Sequence, residues 1–262
     1  MTMSTTRIPS IAHLREVIEE DLKLACQSLD EHNATSIAHV LSYHLGWLKD
    51  SQQVVGKRVR PLLTLLSCAA VGGDWQSALP VSSSIELIHN FSLIHDDIED
   101  RSETRRGVTT VWKRWGVPKA INIGDAVFIL ARLSAHRIRN HNVPAETILK
   151  VFEVLDQACL KLTIGQDLDL TFESQDEVSE SEYLKMIEGK TSALLAASTS
   201  CGGIVAQVGT KSVEKLSAFG HHLGLAFQIR DDILGIWGET KKTGKSIGDD
   251  LCTRKKTLPI IF

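Results

Sequence analysis

Apolar residues recur at spacings of three and four along most of this chain. Leu14, Val17, Ile18, Leu22 and Leu24 form one series; Ile148, Val151, Phe152 and Leu155 a second; Leu216, Phe219, Leu223, Ala226 and Phe227 a third. That period gathers each series on one face of a helix, and strand-like alternation is scarce. Pro61, Pro80, Pro118 and Pro144 stand at or near the starts of helical series, where proline costs little because first-turn N–H groups have no intrahelical partner. Gly72-Gly73 reads as a break between helices. The uncharged stretch 191–210 is rich in Ser, Thr and Gly and lacks the Leu, Ile and Phe density of a membrane span, so it predicts a buried core helix. Residues 174–182 read as a polar connector and 238–250 as a loop. No repeat or linker divides the chain. The pattern predicts an all-α fold, one domain over residues 1–262 built from nine or ten helices.

Composition adds limits. A net charge of −3 gives no reason to expect a nucleic-acid partner. The five cysteines, Cys26, Cys68, Cys159, Cys201 and Cys252, are odd in number and show no CxxC or zinc-like spacing. That usage fits a reducing compartment, and no signal-type apolar segment opens the chain, so a cytoplasmic location is expected.

The chemistry concentrates in one stretch. Asp96-Asp97-Ile98-Glu99-Asp100 is followed at once by a segment bearing Arg101, Arg105 and Arg106. At ~3.6 residues per turn, Asp96 and Asp100 lie one above the other, and like charges so placed destabilise a helix unless something cancels them. Mg²⁺ would do so: it takes oxygen ligands, commonly one or two carboxylates plus substrate phosphates, and arginines suit the remaining phosphate oxygens. A second acidic motif lies downstream, where Gln228, Asp231 and Asp232 share a helix face. Two acidic helices facing each other across a bundle make a metal site.

Other features have two readings each. Gly56-Lys57-Arg58-Val59-Arg60-Pro61 is either a solvated basic turn or a phosphate clamp, in which the glycine admits the backbone and the cations bind. His89, seven residues before Asp96, is either a core histidine or a member of the acidic face. Gly189-Lys190-Thr191 is either a helix boundary or a kink that points a cation and a hydroxyl inward, at a cost of ~1 kcal/mol for the glycine. Lys245 and the run Arg254-Lys255-Lys256 are either a solvated face or a lid that excludes water. Asn122, Asp125, Gln166, Asp167 and Asp169 interrupt apolar helices and are expected to pair with neighbouring helices rather than to react.

In combination, the ordered blocks GKRVRP, SLIHDDIED, RSETRRG, GKTSALL, AFQIRDD, GKSIGDDL and KKTLP, from Gly56 to Pro259, resemble the trans-isoprenyl diphosphate synthases. The resemblance implies a helical bundle around a central cavity. It also implies a reaction in which an allylic diphosphate ionises and the double bond of isopentenyl diphosphate attacks the cation. On that resemblance Asp96 and Asp100 hold two Mg²⁺ ions with Asp97 in support, and Asp231, beside Asp232, holds a third. Arg105, Lys190, Gln228, Lys245 and Lys255 match positions for the allylic diphosphate (dimethylallyl, geranyl or farnesyl). Gly56, Lys57, Arg60, His89 and Arg106 match those for isopentenyl diphosphate, and Thr191 helps to steady the cation. The resemblance implies a homodimer.

Two departures stand out. Gly235 occupies the place where a third aspartate often occurs in the second motif, and the chain stops at Phe262, where the family continues with further helices. A shortened chain with an exposed apolar face is therefore expected. Phe91 and Ser92, five and four residues before Asp96, match the family's chain-length positions. Small Ser92 opens space and Phe91 closes it, as in enzymes making fifteen- or twenty-carbon products; geranylgeranyl diphosphate is the expectation and farnesyl diphosphate the alternative. A class I terpene cyclase would not need GKRVRP or His89. A non-catalytic partner subunit would be expected to lose aspartates of the first motif, and this chain keeps all three.

Overall fold

The computed structural model describes residues 9–48, 56–238 and 255–261. They form α1 (Ile11–Cys26), α2 (Ser28–Glu31), α3 (Thr35–His44), α4 (Val59–Ala70), a 3-10 turn (Trp75–Ala78) and α5 (Leu79–Glu99). A short hairpin of β1 (Thr104–Arg105) and β2 (Val108–Thr109) precedes α6 (Val111–Trp115), α7 (Val117–His136), a 3-10 turn (Arg137–His141) and α8 (Ala145–Phe172). Then come α9 (Glu180–Ile187), a π turn (Glu188–Ser192), α10 (Ala193–Val205), α11 (Thr210–Trp237) and α12 (Leu258–Ile261). Nine helices of eight residues or more are present among the described residues, matching the all-α reading. None is long and apolar enough to cross a membrane.

The helix at the centre is α10, which packs on α4, α8 and α11. This is the uncharged stretch of the sequence, and its composition now has a physical reason. Small residues let neighbours approach: a Cβ on Gly202 would lie 2.4 Å from the Thr64 carbonyl oxygen. The hydroxyls turn back on backbone, Ser198 donating to the Leu194 carbonyl at 2.7 Å and Thr199 to that of Leu216 at 2.6 Å, so no polar atom is stranded there. Beside it, α5 lies along α7, and the main core runs from α1 through α8 and takes in Leu194, Ala197, Cys201 and Val205 of α10. A smaller cluster of Phe172, Val178, Tyr183, Met186 and Ile187 receives Leu258 and Ile261 of α12.

Three local expectations shift. Leu24 is exposed, because α1 buries Leu14, Ile18 and Leu22 and Leu24 lies off that face. The expected connector ends early: Ser179 and Glu182 form a capping box that starts α9 at Glu180. Only part of the third apolar series faces the core: Leu216 packs on Gly203 of α10. Otherwise α11 meets α10 and the π turn through Gly220 and Gly224, a Cβ on the latter reaching 2.5 Å from Ser192 Cα. That contact turns Phe219 and Phe227 outward, and Ile233 and Trp237 are exposed as well.

Candidate active site

The C-terminal end of α5 carries the first acidic motif. Asp97 is buried, and the Arg105 guanidinium Nε donates to its Oδ1 at 2.8 Å while Nη2 reaches Asp96 Oδ2 at 3.3 Å. Arg105 reaches back because the hairpin turns tightly at Arg106-Gly107, both at positive φ (52° and 80°), the backbone of a two-residue hairpin turn. Lys190 Nζ lies 3.2 Å from Asp96 Oδ1 and also pairs with Asp169 of α8; Lys255 Nζ donates to Asp100 Oδ2 at 2.8 Å and lies 3.7 Å from Asp169. Four segments distant in sequence thus meet over one acidic patch.

Burial and charge set the protonation. Burial opposes the Asp96 anion, but Lys190, Arg105 and Lys255 outweigh it and hold its carboxyl below the usual value. Burial pushes Asp97 up to about 6, with Arg105 opposing and Asp96 and Asp100 adding to the rise. Burial would also discharge Lys190, yet Asp96 and Asp169 keep its ammonium above the ordinary value.

Lys190 and Thr191 ride on the π turn. A π turn adds a residue to the helix and re-aims side chains, and it is common at functional positions. Its place is fixed by a crossing with α8: a Cβ on Gly165 would lie 2.1 Å from Lys190 N, and one on Gly189 2.6 Å from the Lys161 carbonyl oxygen. The sequence kink at Gly189 therefore serves close approach as well as aim. Thr191 donates to Gln228 Oε1 at 2.6 Å, and Gln228 Nε2 donates to Asp232 Oδ1 at 2.8 Å. Asp232 is buried and also accepts from Tyr183 at 2.6 Å and from the Leu258 amide at 3.3 Å. Asp231, its neighbour, is exposed and close enough to Arg60 to favour that cation. The two aspartates of the second motif thus part company, one exposed near Arg60 and the other buried and bound into the protein.

A second, basic region lies beside the first. Arg60, Arg106, His44 and His89 sense one another's charge. Burial, then the arginines, drives His44 down to about 3 and His89 well below its ordinary value, so both rings are neutral. Burial also lowers Arg60 and Arg106, and guanidinium groups remain charged nonetheless. Such a cluster is suited to an anion. Gly56 admits the Arg106 guanidinium, which would lie 3.2 Å from an added Cβ. Lys57 is exposed at the edge. Arg58 is excluded from any phosphate clamp: at φ 53° it is buried, pairing with Glu19 at 2.5 Å and Glu86 at 2.8 Å.

Below Asp96, Phe91 meets Phe128 of α7 edge-on at 5.0 Å, and Ser92 folds its hydroxyl onto the His89 carbonyl at 2.8 Å. Gln166 reaches Glu99 at 2.7 Å, a helix contact as expected. Asp125 is exposed yet reaches His95 of α5 at 3.8 Å, a helix contact as expected, whereas Asn122 and Asp167 are exposed. Lys245, Arg254 and the GKSIGDDL block lie outside the described residues. Sequence reading missed His44, Glu86 and Tyr183; Glu86, one turn before Asn90 on a helix with few charges, was the one visible signal.

The residues present fit a hard divalent cation. Asp100 Oδ1 is buried without a hydrogen-bond partner, and Asp96 Oδ1, also buried, meets the Lys190 ammonium at 3.2 Å, where a cation would stand in for it. No three His, Cys, Asp or Glu side chains converge as a closed cage among the described residues, and Mg²⁺ completes its shell with water and phosphate oxygens in just such sites.

An all-α bundle that sets a buried acidic face beside a basic pocket is suited to hold a divalent cation and a phosphate-bearing anion. The polyprenyl synthetase family model matches residues 46–262. A farnesyl diphosphate synthase of Mycobacterium tuberculosis is 42% identical over 266 residues, covering 100% of this chain and 71% of that protein. A geranylgeranyl diphosphate synthase of the same organism is also 42% identical, over 92% of this chain and 67% of that protein. Among solved structures, a polyprenyl synthetase from Streptomyces coelicolor superposes with a TM-score of 0.85 at 37% identity, covering 95% of this chain and 72% of the other. The chain belongs to the polyprenyl synthetase family and is a prenyltransferase.

Proposed function

We propose that this chain is an Mg²⁺-dependent head-to-tail prenyltransferase joining isopentenyl diphosphate to an allylic diphosphate, with geranylgeranyl diphosphate as product and farnesyl diphosphate as the alternative. The observation that carries this reading is the pairing of two anion sites of different kind. One is acidic and cation-edged at Asp96, Asp100, Lys190 and Lys255; the other is metal-free in character, at Arg60, Arg106, His44 and His89. Two diphosphates with different handling are what such a condensation needs.

Asp96, Asp100 and Asp231 would hold the ions, three by the family resemblance. Bound Mg²⁺ supplies Lewis-acid neutralisation of the leaving diphosphate. Arg105, Lys190, Gln228 and Lys255, with Lys245, bind the allylic diphosphate. As the ammonium groups of Lys190 and Lys255 already rest on the aspartates, they follow the incoming charge with little rearrangement. Gly56, Lys57, Arg60, His89 and Arg106 bind isopentenyl diphosphate, and a neutral His89 can donate a hydrogen bond without adding charge. The allylic C–O bond breaks, a C–C bond forms, and the released diphosphate takes the proton, so no protein base is required.

We also read the chain as a cytoplasmic homodimer. The described cysteines Cys26, Cys68, Cys159 and Cys201 are all free, and α7 exposes a row of apolar side chains. The direct test incubates the protein with Mg²⁺, isopentenyl diphosphate and dimethylallyl, geranyl or farnesyl diphosphate, and reads product length by mass. A ladder ending at fifteen or twenty carbons is expected. No elongation by folded protein would overturn the reading in favour of a non-catalytic subunit.

A further inference from the structure

The chain of hydrogen bonds from Tyr183 through Asp232 and Gln228 to Thr191 has a direction, and the direction is chemically enforced. Asp232 is an acceptor at both of its oxygens, Oδ2 receiving the Tyr183 hydroxyl and the Leu258 amide and Oδ1 facing Gln228. Asp232 therefore requires the amide NH₂ of Gln228, which approaches at 2.8 Å, and the Gln228 oxygen is left facing Thr191. Thr191, with one hydroxyl hydrogen, must spend it on that oxygen at 2.6 Å. Its lone pairs, and not its O–H dipole, remain available to whatever lies against it. The chain is buried at Tyr183, Asp232 and Thr191, where water does not compete and such polarisation is strongest.

We propose that Asp232 is a positioning residue that fixes the polarity of Thr191, so that the hydroxyl presents its negative end to the allylic cation. This rests on the prenyltransferase reading above and assigns to Asp232 a task different from that of its metal-facing neighbour Asp231. With a neutral amide at position 232, the donor and acceptor ends of Gln228 are free to exchange. Thr191 then accepts from Gln228 and turns its O–H towards the site, where it opposes a developing positive charge. Tyr183 donates to Asp232 at 2.6 Å and holds its place, but the carboxylate alone dictates the polarity.

The test is a double-mutant cycle in steady-state kinetics with isopentenyl and geranyl diphosphates. Asp232→Asn is expected to lower kcat by about 10- to 100-fold, with both KM values within about threefold of wild type. Thr191→Val is expected to lose a similar factor, and the double variant to be no worse than the poorer single one. Tyr183→Phe, which keeps the carboxylate, stays within about threefold in kcat while its thermal midpoint falls. If Asp232→Asn does not fold, Asp232→Ser, which also removes the carboxylate, takes its place in the cycle. Losses that multiply, or a rise in the geranyl diphosphate KM at unchanged kcat, would overturn the proposal. Wild-type protein that elongates nothing would instead remove the underlying reading, so the two failures are distinct.

Discussion

At the scale of single residues, neutral histidines beside arginines have a measurable consequence. His44 titrates near 6.5 in the unfolded chain and is held down to about 3 in the fold by burial and by Arg106 and Arg105. The unfolded chain therefore binds the extra proton between those limits, and stability is complete above about pH 6.5 and is lost as pH falls towards 3, by up to ~1.4 kcal/mol per pH unit for this group. Urea unfolding at pH 7, 5.5 and 4.5 should show that slope in the wild type and a shallower one in His44→Gln; parallel slopes would refute it. Phe91 is the second residue to test. It packs edge-on against Phe128 one turn below the acidic motif, so Phe91→Ala removes the larger part of that closure. Mass analysis should show products at least one isoprene unit longer at comparable turnover, and an unchanged profile would sink its role in chain length. Both residues differ in legibility. Phe91 was visible from its spacing to Asp96, whereas His44 was not, because the charges of Arg105 and Arg106 that act on it lie more than 60 positions away in sequence, which a local pattern does not carry.

At the scale of elements, the active site depends on how two helices cross. The π turn carrying Lys190 and Thr191 lies against α8 with no space for a side chain at Gly165. Gly165→Ala would place a methyl group 2.1 Å from Lys190 N, on backbone that cannot rotate away. Either α8 or the π turn must shift, and a shift of about 1 Å at a positioned group costs on the order of 100-fold in rate. The expected result is that loss in kcat together with ~1–3 kcal/mol of stability from overpacking, read by product formation and by chemical denaturation. Wild-type kcat would show that the crossing does not aim Lys190. Sequence periodicity located α1, α8 and α11 well, because amphipathic faces repeat locally. It misjudged which face of α11 turns inward, since Gly220 and Gly224 decide that by permitting contact with α10 and Ser192. Glycines leave no apolar mark, so the face that carries Phe219 and Phe227 looked like the core face and is exposed.

At the scale of the whole molecule, the distribution of exposed apolar side chains is uneven, and α7 shows it most plainly. Its inner face buries Ala120, Ile123, Val127, Leu130 and Ala131 against the core. Its outer face carries Val117, Ile121, Ile129 and Leu133, the last three exposed by 45%, 55% and 48%, with the exposed Asp125 set between Ile121 and Ile129. Exposed apolar side chains gathered on one face in this way favour association. The occupant we expect is the same face of a second copy, because a two-fold axis lets one patch satisfy itself. The substitution Ile129→Lys would place two charges at such an axis, one from each protomer. Light scattering coupled to gel filtration should give a dimer for the wild type and a monomer for Ile129→Lys at micromolar concentration. Circular dichroism should stay helical, because residue 129 makes no part of the inner face. Retention of the dimer in the variant would place the interface elsewhere. A wild-type monomer would leave the outer face of α7 without the partner argued for it.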